Sequence, residues 1–272
     1  MKEKILLLLL LFLSFSCPVM AQGNLMIFPK RITFDGIKNR MQIINLSNVG
    51  KDTATYKMSY NQIKMDEDGK FISIEEPEPN QRFASPHLRF YPRTITLAPN
   101  ASQTVKIQLV KTNELQQGEY RSHLYFRAIH KNKALEKEEP IHKPEGLSIS
   151  MKPVFGISIA NIIIIGETSV AVALSNLEIQ HSEQEIFLSL DFNRSGNSSC
   201  YGDIQVNYIS AEGISTNVAT IKGFAVYAPG NLRRTKIKLI ANSTIDYTKG
   251  QLQIIYSTQD EGIKYAEASL GL

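Results

Sequence analysis

The chain has 272 residues, 43% of them hydrophobic, with no tryptophan, two cysteines and 30 Lys+Arg against 26 Asp+Glu. The small positive excess is not gathered into one block, which argues against nucleic acid as a partner, and two cysteines cannot staple a small disulfide scaffold. A chain of this length must hold itself together by its core, and two domains of ordinary size fit it better than one.

The first residues read as an export signal. Lys2 and Lys4 precede an apolar run from Ile5 to Leu13, and Val19-Met20-Ala21 supplies a cleavage site, so residues 1–21 are expected to be removed. The run is shorter than the roughly 20 residues that span a bilayer, and no later segment is long and apolar enough, so the mature chain is expected to be soluble. Cys17 raises lipidation as an alternative, but Ser14 and Phe15 stand where a lipoprotein signal prefers Leu and a small residue. Cleavage after Ala21 leaves Cys200 as the only thiol.

From there period-two alternation dominates, which predicts an all-β chain. Strands are expected near Leu25 to Phe34, Met41 to Leu46, Thr55 to Met65, Thr94 to Leu97, Thr104 to Leu109, Tyr120 to Ala128 and Leu147 to Ile159. That is the strand count of a constant-type immunoglobulin sandwich. Leu115-Gln116-Gln117-Gly118-Glu119-Tyr120 has the spacing of a tyrosine corner, although an ordinary turn followed by a strand tyrosine has the same letters. Ser122 takes the place of the antibody cysteine. The segment His130 to Gly146, dense in Lys and Glu with two prolines, is expected to be a mobile loop.

A second train of strands is expected near Ser169 to Leu174, Glu185 to Asp191, Asp203 to Ile209, Val218 to Val226, Arg234 to Ile240, Gly250 to Tyr256 and Lys264 to Leu270. The prediction is two immunoglobulin-like β-sandwich domains in tandem, residues 22–160 and 161–272, set at an angle. They are expected to meet around Ile157 to Ile165, a connection without Gly/Ser flexibility.

Catalysis finds no support in the sequence. His87, His123, His130, His142 and His181 form no pair with metal-ligand spacing, and His123 is expected to be a satisfied or solvated strand histidine. Cys200 carries no nucleophile signature, and Glu136, Glu138 and Glu139 belong to a charge run. No cofactor is called for. Leu232-Arg233-Arg234-Thr235-Lys236 is expected to be a solvated strand edge rather than a phosphate patch.

An ordered set of segments resembles the periplasmic assembly chaperones of the chaperone/usher pilus pathway, in their more divergent branch. It comprises Ile27 to Gly36, Ile43 to Asn48, Arg93 to Gln108, Gly118 to Arg127, Pro153 to Ile159, Tyr201-Gly202-Asp203, Ala225-Val226-Tyr227 and Asn231 to Arg234. The resemblance implies a pilus, fimbrial or adhesin subunit and an outer-membrane usher as partners, and a periplasmic location. It also implies that the chaperone lends a strand to a subunit that lacks its last one, which covers an exposed groove and edge.

The sequence offers Leu147, Ile149 and Met151, alternate apolar residues of one strand, as that donor; burial in the domain's own core would produce the same pattern. The resemblance further implies an arginine and a lysine that anchor the subunit's C-terminal carboxylate. Arg31 matches the arginine; the gap-free place of the lysine is Gly156, and Lys152 is the nearest cation. Such an anchor contributes about 1.5–3 kcal/mol. The charged bridge between the domains of the best-known members is replaced by Arg121 and Ala160, so it is expected to be missing. An exported structural or adhesive protein built from the same tandem sandwiches remains the alternative.

Overall fold

A computed structural model describes residues 25–129, 156–182, 185–241, 245–259 and 262–272. The export signal, the Lys/Glu-rich segment, Leu147, Ile149, Met151 and Lys152 lie outside the described residues.

The first half contributes β1 (Leu25–Phe28), β2 (Arg31–Asp35), β3 (Met41–Asn48), β4 (Ala54–Asn61), β5 (Ile63–Met65), β6 (Phe71–Ser73), β7 (Leu88–Tyr91), β8 (Thr94–Leu97), β9 (Ser102–Leu109), β10 (Gly118–Ile129) and β11 (Gly156–Ile165). One sheet runs β1-β3-β9-β7 and the facing sheet β2-β11-β10-β4-β8. Read as immunoglobulin strands these are A-B-E-D against a sheet built on C, F and G, with the second half of the first strand crossing over to lie parallel to the last.

The expected single strand from Leu25 to Phe34 is therefore two. Pro29 has no N–H to give a ladder, and the chain changes sheets there, β1 pairing with β3 and β2 with β11. The expected strand from Thr55 to Met65 is likewise split, because β5 turns out of the sandwich to pair only with β6. β6, three residues and exposed throughout, and β7, only four residues long, were too short for a pattern to reveal them.

The second half contributes β12 (Val170–His181), β13 (Ile186–Gly196), β14 (Cys200–Ile209), β15 (Ser215–Val226), β16 (Leu232–Leu239), β17 (Gln251–Ser257) and β18 (Lys264–Gly271), ordered β12-β13-β16 and β15-β14-β17-β18. All seven expected strands are found, several of them longer than expected.

Each sandwich has its own core. Phe34, Ile44, Leu46, Ile107, Leu124 and Phe126 fill the first, and Leu188, Phe192, Ile204, Val206, Ile254 and Tyr256 the second. Full burial stabilises by about 1.5–3 kcal/mol per large apolar side chain. A third cluster, Ala160, Ile162, Ala225 and Tyr227, lies where the halves meet.

The stretch Ile157 to Ile165 is not the expected connector. It is most of β11, paired with β10 from Arg127↔Gly156 to Gly118↔Ile165, so the first sandwich continues past residue 160. Ile159 and Ile163 face the first core while Ala160 and Ile162 face the second sandwich, which is why the isoleucine run shows no polar side.

The corner is present: the Gln116 N–H donates to the Tyr120 hydroxyl at 2.8 Å. Ser122, in the cysteine's place, accepts from the Ser85 N–H at 2.9 Å and donates to Gln62 Oε1 at 2.9 Å. Cys200 is buried and free. No helix among the described residues is long and apolar enough to cross a membrane.

Candidate functional site: a cationic cleft between the sandwiches

Strand register decides which side chains face the second sandwich. On the outer face of the five-stranded sheet, Arg31 lies opposite Ala160, and Ala160 opposite His123, which in turn pairs with Asn61. One rung on, Thr33 lies opposite Ile162, and Ile162 opposite Arg121. Two cationic residues and an imidazole thus surround a notch whose floor is a methyl group. Opposite it stand Tyr201 and Tyr227: the Arg31 guanidinium lies 4.6 Å from the Tyr201 ring centroid and that of Arg121 4.2 Å from the Tyr227 ring.

Arg121 and His123 are each only 4% exposed. Burial pushes the arginine's pKa down, and burial first, then the charges of Arg121 and Arg31, takes His123 down to about 3, so the imidazole is neutral at neutral pH. It is shielded from solvent, and its Nδ1 has no hydrogen-bond partner among the described residues. The same is true of Arg31 Nη1, Arg121 Nε and Nη1, and Arg233 Nε.

Arg233 was expected on a solvated edge. Instead it folds in from β16 and stacks 3.9 Å above the Phe224 ring, with Nη1 donating to the Ala225 carbonyl. Its neighbour Arg234 ion-pairs with Glu67 at 2.7 Å and takes the Glu67 carbonyl on its own N–H at 2.6 Å, docking the β5–β6 hairpin onto the second sandwich.

Ala160 offers no acid for the ionic bridge of the best-known members, and Arg121 instead crosses the interface by donating to the Ala228 carbonyl at 3.1 Å. Glu119 bridges as well. Its carboxylate accepts the Ser199 N–H at 2.6 Å and hydroxyl at 2.5 Å, and Ser199 Oγ accepts the Ala228 N–H at 2.9 Å. Both oxygens of this acid are thereby engaged, and none of Arg31, Arg121 and Arg233 makes an ion pair among the described residues. Of the three only Arg121 is buried, while Arg31 and Arg233 are half-buried; cations drawn out of water without a counter-charge favour an anion beside them.

Two hollows open here, and Lys30 and Gly223 line both. One of about 970 Å³ includes Arg31, Tyr201 and Lys222; the other, of about 330 Å³, includes His123, Ala160, Phe71, Tyr227 and Arg233. Arg31 lines the larger of the two hollows. At Gly156, the expected lysine's gap-free position, a Cβ would lie 2.2 Å from the Tyr125 ring, so the tyrosine occupies the space a side chain would need. Arg121, His123 and Arg233 were missed as site residues because only the β2-β11-β10 register and the domain packing bring them to Arg31.

Along its other margin β11 is incompletely paired. β2 accompanies it from Ala160 to Ile164 only, so Gly156 to Ile159 are bonded to β10 on one side and to no strand among the described residues on the other.

Neither a protein-family model nor any curated protein matches the sequence. Solved structures similar to the chain include the Pseudomonas aeruginosa CupB2 chaperone, at 12% identity and a TM-score of 0.46 over 91% of this chain and 100% of that one. The class 5 fimbriae chaperone CfaA is similar at 16% identity and a TM-score of 0.43, covering 91% and 98%. The CsuC–CsuE chaperone–tip adhesion subunit pre-assembly complex, from archaic chaperone-usher Csu pili of Acinetobacter baumannii, is similar at 9% identity and 0.43, covering 91% and 98%.

Proposed function

We propose that this chain is a periplasmic chaperone that binds and stabilises pilus, fimbrial or adhesin subunits by donor-strand complementation and hands them to an outer-membrane usher. The observation that carries the reading is the margin of β11 at Gly156 to Ile159, which no strand covers among the described residues, beside a cleft where the buried Arg121 and half-buried Arg31 and Arg233 have no ion-pair partner among those residues. An unpaired edge attracts a strand, and a charge-assisted anchor at its inner end would fix the register of that strand.

Arg31 is the proposed anchor for the subunit's C-terminal carboxylate, with Lys152 as its proposed companion. Leu147, Ile149 and Met151 are the proposed donor residues. Within β11, Ile157 and Ile159 turn toward the sandwich interior, and a strand continued backward without a bulge would give the three donors the same face. Burying three such side chains in a subunit's groove removes about 1.5–3 kcal/mol each from water, part of which offsets the cost of association.

The test is purification of the tagged protein from the periplasm. A one-to-one complex with a subunit is expected, and Leu147→Glu with Ile149→Glu should weaken it more than about 100-fold. An undiminished complex from the double variant would refute donation through this strand, and a protein found on the cell exterior without a subunit would refute chaperoning.

A further inference from the structure

The hollow over Ala160 is larger than a carboxylate needs, and its wall is not merely cationic. Phe71 from β6, His123 from β10 and Tyr227 from the second sandwich form one aromatic wall, with ring centroids 5.5, 6.0 and 6.2 Å apart. Phe71 is 53% exposed, unusual for a ring in contact with two others, and it lines the hollow. The volume of about 330 Å³ admits one large side chain.

We propose that this hollow receives the last residue of the bound polypeptide, an aromatic one with a free α-carboxylate: the carboxylate lies between Arg31 and His123 above Ala160, and the ring lies on the wall of Phe71 and Tyr227. The proposal rests on the chaperone reading and narrows the partner to chains ending in an aromatic residue. Among the described residues Arg31 Nη1 and His123 Nδ1 are buried without partners on either side of Ala160, as are Nε and Nη1 of the adjacent Arg121, and a planar anion that reached Arg31 and His123 would satisfy both. His123 takes no charge in this arrangement; its neutral N–H donates. Beyond the carboxylate the lining is mainly rings and apolar groups with one hydroxyl, Ser158, and Arg233 and Lys30 also line the hollow, where an electron-rich ring face meets a cation.

Short N-acetylated peptides, binding to the intact protein, separate the two halves of the proposal. A peptide ending in phenylalanine acid should bind at least ~10-fold more tightly than its C-terminal amide and at least ~10-fold more tightly than the same peptide ending in alanine acid. Phe71→Ala, at an exposed position, should erase the preference for phenylalanine and keep the preference for the acid; Arg31→Gln should do the reverse. Equal binding of acid and amide, or of phenylalanine and alanine, overturns the proposal. A subunit that co-purifies but binds undiminished after loss of its last residue overturns it too and leaves the chaperone reading standing. Peptide binding as expected, in a protein that captures no subunit, sinks the chaperone reading and keeps the pocket.

Discussion

His123 shows how far a side chain's character is set by its surroundings. An imidazole with an ordinary pKa near 6.5 is held at about 3 by burial and by two arginines. The unfolded chain therefore takes up a proton that the folded one refuses as pH falls from about 6.5 toward 3. Stability should drop across that window by up to about 1.4 kcal/mol per pH unit from this residue alone, and be unaffected by it above pH 6.5. Denaturant unfolding at several pH values checks this, and His123→Gln should flatten the acid limb. Tyr120→Phe should cost about 1 kcal/mol in the same assay, the net value of the corner hydrogen bond. The corner was legible in the sequence because all its parts lie within six residues, Leu115 to Tyr120. The notch was not, since Arg31 and His123 meet only through the strand between them.

β11 is the element on which the fold and the proposed function converge, and it is also the one the sequence disguised. A strand that feeds two cores has no polar side, so the isoleucines of 162–165 looked like a greasy connector instead of the closing strand of a sandwich. The β5–β6 hairpin escaped notice for the opposite reason: its second strand is exposed and its role is docking. Gly69, at φ +80°, sits where a Cβ would come 2.7 Å from Arg233 Nε, so a side chain there would strain the turn and push the guanidinium aside. Gly69→Val should destabilise by about 1–3 kcal/mol, through strain and a displaced Arg233. Thermal unfolding checks this, and a fully native midpoint would show the hairpin to be loose. Arg194 acts similarly from within the second sandwich. It donates to the carbonyls of Gly196, Ser198, Pro229 and Gly230 and to Asn231 Oδ1, fixing the loop that offers Ala228 to Arg121.

Across the whole molecule, the tandem all-β plan could be read from alternation and turn residues, and all seven strands of the second half were. The seating of one sandwich on the other could not, because it depends on Glu119, Arg121 and Arg234 finding partners in the opposite domain. Glu119→Ala with Arg121→Met should loosen that seating, broadening the distance distribution between spin labels at Lys106 and Lys264 while each sandwich stays folded. In the proposed function the segment preceding β11 completes a partner's sheet. A photoreactive amino acid at position 149, activated in the periplasm, tests it most directly. One dominant adduct with the mass of this chain plus a subunit is expected, lost when Arg31 is replaced by Gln; crosslinks confined to the protein's own sandwich would rule out donation through this segment.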